Sequence, residues 1–336
     1  MPSSPEKVIV VRAFPRVHVS LLDLADATPR RYGGAGFVLD CLPVEVHASL
    51  GASDTDGDDL GGLDARGRRD LEEALARLRA TRDLGHARVA IRQLMPEHIG
   101  LGSKTATVLA ALRACSAVAG WKVPRDTLQR LSGRGGASGV GVHGFFSGGF
   151  VVDGGHDVPA SKGYLPSSSG RPDRVPPLCA RLRVPSRWRF HLFLPSGKRV
   201  SGSDEEQFFL KNTPIPIQEA HSAIGSMYHG VIPAVAEGSI AALRDSLRSI
   251  HRSGFKSREL MAQPASVRAL YLALSERDDV AVGMSSMGPL IYAICDSSKA
   301  ETEAAIGCIA TINGAQRLAV ASARNIGCEL TVRDAD

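Results

Sequence analysis

The chain has 336 residues, of which 43% are hydrophobic, 22% charged and 5% aromatic, as expected for a globular protein with a buried core. No run approaches the roughly 20 apolar residues that span a bilayer, and the N-terminus has no secretory leader pattern. These absences predict a cytoplasmic protein without a membrane partner. The net charge of +5 comes without dense basic runs, so a small anionic ligand is expected as partner rather than nucleic acid.

The six cysteines are scattered, and no two stand at the CxxC spacing that is typical of zinc or thiol redox sites. Buried free thiols are the expected state. The sequence leaves any metal ligands unassigned.

The first half of the chain predicts a sheet, because β-branched and aliphatic runs there are separated by Pro, Gly and Asp. Leu71, Leu75 and Leu78 share one face of a predicted helix, and a second helix follows a glycine-rich turn and runs to Ala119. The predicted strands cover residues 8–11, 17–22, 37–39, 44–50 and 88–94.

Residues 157–177 are rich in Ser, Pro, Gly and Arg without hydrophobic periodicity, which indicates a long mobile loop or a linker. The predicted domains are therefore 1–176 and 177–336. The second is predicted to be α+β, with three helical segments between residues 217 and 274. Its other predicted elements are strands at 189–194, 280–283, 290–295 and 317–321 and a helix at 299–312.

The turn at residues 96–103 indicates an anion site, because its glycines directly precede a helix whose first N–H groups lack partners. Gly100 and Gly102 permit close backbone approach, and Ser103 is expected to cap the helix and to donate to a phosphate. Lys104 adds a charge and Thr105 a hydroxyl. The spacing is not that of a G-x-x-x-x-G-K-[ST] loop, and a plain helix cap after a tight turn is the alternative.

The segment Pro96-Glu97-His98-Ile99-Gly100-Leu101-Gly102-Ser103 resembles the phosphate loop of GHMP kinases, and residues 283–289 resemble their glycine-rich third motif. The resemblance implies an α+β, two-domain GHMP-kinase-like fold. Its β-rich N-terminal domain would carry the phosphate loop, and its C-terminal domain would be ferredoxin-like.

Within that superfamily, segments 16–24, 33–36, 100–105, 134–141 and 149–156 resemble the beta-ribofuranosylaminobenzene 5'-phosphate synthases and the related C-nucleoside synthases of formycin-type pathways. The closer resemblance is to the C-nucleoside branch. It implies that 5-phosphoribosyl 1-pyrophosphate loses pyrophosphate while a carboxylated aromatic carbon attacks the anomeric carbon, after which carbon dioxide leaves.

A kinase is the less favoured alternative, because the kinases of this superfamily keep an aspartate after the Ser-Gly pair. Here Val140, Gly141 and Val142 follow Ser138 and Gly139, and none of them can accept a proton. The acceptor stays open between a heteroaromatic acid and 4-aminobenzoate. A nucleotide-sensing module without catalysis is the non-enzymatic alternative.

The resemblance implies roles for particular residues, with Mg²⁺ bridging pyrophosphate oxygens and a homodimer as the assembly. Lys162 and Lys211 are expected as lid or acceptor contacts, and a structural role is the alternative for each histidine. The expected catalytic residues are Arg16, His18, Asp23 and His156. The expected phosphoribosyl pyrophosphate contacts are Gly100, Leu101, Gly102, Ser103, Lys104, Thr105, Arg134, Ser138 and Gly139.

Overall fold

A computed structural model of the chain describes residues 7–51, 57–157, 163–166, 174–196 and 203–334. It contains strands and helices in the order expected for an α+β protein. The strands are β1 Lys7–Ala13, β2 Arg16–Asp23, β3 Tyr32–Val38, β4 Val44–Leu50, β5 Ala87–Gln93, β6 Phe150–Asp153, β7 Leu178–Leu182, β8 Trp188–Leu194, β9 Ala281–Met284, β10 Ile291–Asp296, β11 Gln316–Ser322 and β12 Glu329–Asp334.

Two four-stranded sheets form the first half, with strand orders β12-β1-β4-β5 and β2-β3-β6-β7. All of their described pairings are antiparallel. Every residue of β3 is buried, because it runs between β2 and β6 and is covered on both faces. Gly34, in the middle of β3, stands opposite Asp153 of β6.

Four helices accompany these sheets: α1 Ala65–Thr81, α2 Ser103–Val118, α3 Arg125–Ser132 and α4 Val140–Ser147. Asp64 caps α1 by accepting from the Gly67 N–H, and Leu71, Leu75 and Leu78 are buried as predicted. Helix α2 packs against β1 and β4 through a surface rich in alanine, which lets the helix approach the sheet closely. This packing fixes the direction in which its N-terminus points.

The third sheet has the order β11-β8-β10-β9, and its described pairings are antiparallel. Helices join β8 to β9 and β10 to β11, which produces the split β-α-β arrangement of a ferredoxin-like domain. The predicted ferredoxin-like second half is therefore confirmed. The helices of this half are α5 Ser203–Asn212, α6 Ile217–Ser226, α7 Ile232–Glu237, α8 Ile240–Arg252, α9 Gly254–Met261, α10 Ala265–Ser275 and α11 Ala300–Ile312, with a π-helical turn at Met227–Val231.

The expectation of three helical segments between residues 217 and 274 was wrong, because local breaks divide this stretch further. Gly238 ends α7 with a φ of 72°, and Ser239 then caps α8. Gly254 has a φ of 67°, and Pro264 directly precedes α10.

Several elements were not predicted: β6, β7, β12, α3, α4 and α5. Two of these lie beyond residue 176 yet complete sheets of the first half, since β7 pairs with β6 and β12 pairs with β1. The division at residue 176 stays a prediction, and strand pairing crosses it twice. Among the described residues, no helix is both long and apolar enough to cross a membrane.

Candidate functional site

A cleft of about 290 Å³ opens at the N-terminus of α2, between the two halves of the chain. Residues 100–105 form its floor, β2 and the loop before α4 form one wall, and the loop between β9 and β10 forms the other. The predicted residues that line it are Arg16, His18, Gly100, Leu101, Gly102, Ser103, Lys104, Thr105, Arg134 and Ser138.

The phosphate loop reaches α2 through two glycines with positive φ, 98° at Gly100 and 78° at Gly102. A Cβ at Gly100 would lie 2.4 Å from the Ser285 carbonyl oxygen, so only glycine fits the close approach of these two loops. Gly102 is the N-cap and has no side chain to occupy the first N–H groups of α2. The helix therefore directs its first N–H groups, which no cap side chain in the described residues occupies, and its positive dipole end towards the cleft.

Ser103 was expected to cap α2, and that expectation was wrong. The N-cap is Gly102, and Ser103 is the first helical residue. The Ser103 carbonyl accepts from the Thr107 hydroxyl at 3.0 Å, one turn further along. The left-handed conformation required at the cap favours glycine over serine, which leaves Ser103 inside the first turn.

Arg16 crosses beneath the phosphate loop, where Nη1 donates to the Gly100 carbonyl. Its Nε is buried and makes no hydrogen bond within the described part of the chain. Burial, followed by the charge of Arg134, lowers the pKa of Arg16 to about 10, so the group remains cationic at neutral pH. A buried guanidinium with a spare donor is suited to an anionic ligand.

The loop between β9 and β10 is tied to both β2 and the phosphate loop. The Ser285 hydroxyl donates to the Gly100 carbonyl at 2.7 Å and accepts from the His18 N–H at 2.9 Å. Lys256, on α9, donates to the Ser286 carbonyl at 2.7 Å and to Glu259 at 2.9 Å. The predicted third motif is therefore a wall of the same cleft.

Charged side chains surround the amino end of α2. Lys104 Nζ lies 3.7 Å from Asp64, which also accepts from His98 at 2.9 Å. Arg134 Nε donates to the Thr105 hydroxyl at 3.3 Å, so its guanidinium lies beside the first turn of α2. Burial lowers the pKa of Arg134.

His18, Ser138 and Asp153 form a row of hydrogen-bonded side chains beside the cleft. His18 Nε2 lies 3.2 Å from the Ser138 hydroxyl, and that hydroxyl donates to Asp153 Oδ2 at 2.9 Å. Burial raises the pKa of Asp153 to about 6, although four hydrogen bonds oppose the shift. Burial, then Arg16 and Lys256, lower the pKa of His18 well below its ordinary range, so its ring is neutral.

The cleft also has an apolar end. Leu21, Ala137, Phe209 and Met287 line it there and belong to one hydrophobic cluster. The Phe209 ring packs against Phe255, with centroids 4.8 Å apart. An anion-binding end beside an apolar end is suited to a ligand with a phosphorylated part and a flat organic part.

Five predicted site residues are absent from this lining, and the structure describes four of them. Asp23 is buried and accepts from the backbone N–H groups of residues 25, 27 and 28. His156 hydrogen-bonds the Gly135 carbonyl at 2.8 Å, and the Gly139 N–H donates to Asp153 at 2.9 Å. These contacts favour structural roles. Lys211 is exposed at the end of α5. Lys162 lies outside the described residues.

The prediction gave no role to His98 in the turn itself, and it missed residues that reach the cleft from other segments: Asp64, Arg66, Glu205, Phe209 and Glu259. Asp153 was also missed, and it puts a buried carboxylate behind Ser138 even though none follows Gly139 in the chain. Asp153 could have been found as a carboxylate at the end of an apolar strand. Glu259 could have been found from its spacing of three residues from Lys256 within a helix.

Two groups of side chains bring metal-ligating atoms together among the described residues. Asp64, Glu97 and His98 stand beside the phosphate loop. His191 on β8, Cys295 on β10 and Glu303 on α11 form the second group, and His191 Nδ1 is buried without a hydrogen-bond partner in the described chain. Metal-bound histidines normally have such a partner, which argues against the second group, and the first group lies at the cleft through Asp64 and His98.

Known proteins resemble this chain in sequence. A family model described as the GHMP kinases N terminal domain matches residues 70–160. Beta-ribofuranosylphenol 5'-phosphate synthase of Methanothermobacter thermautotrophicus is 31% identical over 331 residues, or 95% of this chain and 97% of that protein. The protein of the same name from Archaeoglobus fulgidus is 32% identical over 325 residues, or 96% and 99%.

Solved structures resemble it in fold. Homoserine kinase from Cytophaga hutchinsonii superposes with a TM-score of 0.70 at 17% identity, over 98% of this chain and 99% of that one. Mevalonate diphosphate decarboxylase from Enterococcus faecalis gives 0.61 at 16% identity, also over 98% and 99%. The predicted GHMP-kinase-like fold is confirmed, whereas the closeness to formycin-type C-nucleoside synthases stays a prediction. The chain belongs to the beta-ribofuranosylphenol 5'-phosphate synthase family, within the GHMP kinase superfamily.

Proposed function

We propose that this protein transfers the phosphoribosyl group of phosphoribosyl pyrophosphate to a ring carbon of a hydroxy- or aminobenzoic acid, with release of pyrophosphate and carbon dioxide. The observation that carries the proposal is the N-terminus of α2, where the N-cap Gly102 makes no side-chain hydrogen bond and where Arg16, Lys104 and Arg134 line the cleft. Such a cradle stabilises the negative charge that develops on a departing pyrophosphate.

The acceptor would bind at the apolar end, against Phe209 and Met287. The name of these relatives denotes a ribofuranosyl group on a phenol, which favours a hydroxybenzoic acid over a nitrogen heteroaromatic acid. A ring hydroxyl or amine feeds electrons to the carbon opposite it. That carbon would attack the anomeric carbon, and the electron pair of its bond to the carboxylate would return to the ring as carbon dioxide leaves.

Mg²⁺ would be held at the pyrophosphate end, where Asp64 supplies a carboxylate oxygen beside Lys104. Hydrogen bonds from Gly67 and His98, and the charge of Lys104, lower the pKa of Asp64 against the opposing effect of burial. An ionised oxygen ligand is what a hard cation requires, and the cation would neutralise pyrophosphate charge.

ATP-dependent phosphotransfer is less favoured, because the first turn of α4 contains no acidic residue to act as base at the kinase position. Asp153 does not replace it, since its carboxylate is fully engaged by backbone and hydroxyl donors.

The test is to incubate the purified protein with phosphoribosyl pyrophosphate, Mg²⁺ and one acceptor at a time: 4-hydroxybenzoate, 4-aminobenzoate or a pyrazole carboxylic acid. Release of pyrophosphate and carbon dioxide in equal amounts with a benzoic acid supports the proposal. Turnover with the pyrazole acid alone would favour a C-nucleoside synthase, and ATP consumption without carbon dioxide would favour a kinase. Light scattering after gel filtration tests the expected homodimer.

A further inference from the structure

The alignment of His18, Ser138 and Asp153 has a defined direction. An ionised carboxylate only accepts hydrogen bonds, so the single proton of the Ser138 hydroxyl is committed to Asp153 at 2.9 Å. The same oxygen accepts from the Val140 N–H at 3.2 Å. Its remaining lone pair faces His18 Nε2, also at 3.2 Å.

The neutral His18 ring must therefore carry its proton on Nε2. With the proton there, Nδ1 keeps its lone pair, and within the described chain no residue hydrogen-bonds to that atom. His18 also lines the cleft. A neutral imidazole with an uncommitted lone pair at a cleft is able to accept a proton.

We propose that His18 Nδ1 removes the proton of the acceptor's ring hydroxyl or amine, and that Asp153, acting through Ser138, is the positioning residue that holds His18 in the required tautomer. This inference rests on the proposed function. It assigns Ser138 to orientation of the base rather than to binding of the phosphoribosyl group.

The proton and electrons balance around one turnover. The O–H (or N–H) bond of the acceptor breaks, its proton moves to Nδ1, and the electron pair passes through the ring into the new bond to the anomeric carbon as the bond to pyrophosphate breaks. Loss of carbon dioxide returns a pair to the ring and leaves the oxygen anionic. His18 then returns the proton to that oxygen, so the enzyme needs no external co-reactant.

Gly34 provides a second observation in favour of the arrangement. A Cβ at residue 34 would lie 2.7 Å from both His18 Nε2 and Ser138 Oγ. Gly34 lies in a strand, where glycine has no conformational advantage. Because Gly34 has no side chain, His18 and Ser138 have room to contact each other.

The hydrogen-bonded row also predicts that activity is lost at low pH even though the His18 ring is not protonated a second time. Asp153 has a pKa of about 6 because it is buried. When Asp153 gains a proton it becomes a donor to Ser138, Ser138 then donates to Nε2, and the ring proton must reside on Nδ1. The base is lost as the pH falls through about 6, while the ring stays neutral.

The groups that face these side chains support this order of events. Asp153 accepts from the N–H groups of Gly34, Gly139 and Gly155 and from Ser138, with no cation among them. His18 faces Arg16 on its own strand and Lys256 on α9, both of which oppose its protonation.

The deciding experiment is ¹⁵N NMR of the histidine rings in the full-length protein, with the His18 signals assigned by a His18→Gln variant. We expect the Nε2–H tautomer at pH 8 and conversion to Nδ1–H below about pH 6. A ring that is Nδ1–H throughout, or one that becomes doubly protonated near pH 6, would overturn the proposal. The tautomer is read without turnover, so this result is independent of whether the proposed reaction occurs.

The Ser138→Ala variant tests whether Ser138 orients His18 or binds the substrate. We expect kcat to fall about 100-fold with the KM for phosphoribosyl pyrophosphate unchanged, and the acid limb near pH 6 to disappear. A raised KM with unchanged kcat would mean that Ser138 binds the substrate, and its role in orienting His18 would be refuted. Ser116→Ala is the matched control, since Ser116 is a buried serine that donates to a backbone carbonyl outside the cleft.

Discussion

The guanidinium of Arg16 lies against Gly102, so that a Cβ at residue 102 would come within 3.2 Å of Arg16 Cζ. The N-cap of α2 and the cation beneath it therefore depend on each other. A side chain at residue 102 would displace Arg16 from the phosphate loop, and this contact can be tested separately from backbone strain.

Gly102→Ala should weaken binding of phosphoribosyl pyrophosphate at least tenfold, because it moves Arg16 and strains a residue whose φ is 78°. Gly120→Ala is the control: its φ is 68°, but an added Cβ meets nothing within 4 Å. Both variants should lose about 1–3 kcal/mol of unfolding free energy in urea titrations. Equal affinity of the two variants in calorimetry would contradict a role for the Arg16 contact.

Lys104→Ala should raise the Kd for phosphoribosyl pyrophosphate at least tenfold, which corresponds to about 1.4 kcal/mol, because a full positive charge leaves the amino end of α2. Isothermal calorimetry measures the change. Lys122→Ala removes an exposed lysine beyond the other end of α2 and should leave the affinity as it was. Unchanged affinity in Lys104→Ala would remove this loop from the substrate site.

Asp64→Asn should raise the Mg²⁺ concentration needed for half-maximal activity about tenfold. This is the lower end of the loss of metal affinity that follows when a residue around a bound metal is replaced. Asparagine caps a helix about as well as aspartate, so α1 should keep its N-cap and the melting temperature should change little. Asp83→Asn, at an exposed turn, is the charge-matched control. An unaltered Mg²⁺ dependence would exclude Asp64 as a ligand.

Phe209→Leu should raise the KM for the benzoic acid several-fold and leave that for phosphoribosyl pyrophosphate unchanged, because the ring lines only the apolar end of the cleft. Phe208→Leu is the neighbouring control, since Phe208 packs on the same Phe255 without lining the cleft. If both variants impair the acceptor equally, the effect arises from packing around Phe255.

The stability of the protein should depend on pH through Asp153. Its pKa is raised from 3.8 to about 6 in the folded chain, so the ionised carboxylate opposes folding above pH 6, and this penalty disappears as the pH falls towards 4. The shift corresponds to about 3 kcal/mol. Denaturant unfolding of Asp153→Asn should therefore show a deficit relative to the natural chain that is larger at pH 4 than at pH 8. A constant deficit would argue against the raised pKa.

The glycine turn before α2 was predictable because it is a short segment whose glycines carry the signal locally, and the same holds for the glycine-rich segment 283–289. Phosphate binding at the turn stays a prediction. The contact of Asp153 with Ser138 was not predictable, because it forms only through the pairing of β6 with β3. Glu259 likewise reaches the cleft through the packing of α9 beneath Ser286, whose carbonyl accepts from Lys256. The prediction that Ser103 caps α2 was wrong for a local reason. Residue preferences alone favour serine as the N-cap, but the left-handed backbone at residue 102 makes Gly102 the cap.

Strand β12 lies at the outer edge of the first sheet, with Lys7 opposite Asp334. During synthesis on the ribosome, the edge of β1 is covered only after residues 329–334 have emerged, and contacts so far apart in sequence form slowly. Until then the nascent protein exposes an unpaired strand edge that other chains can join. Chaperone dependence during expression, relieved when residues 329–334 are supplied as a separate peptide, is the expected sign of this late closure.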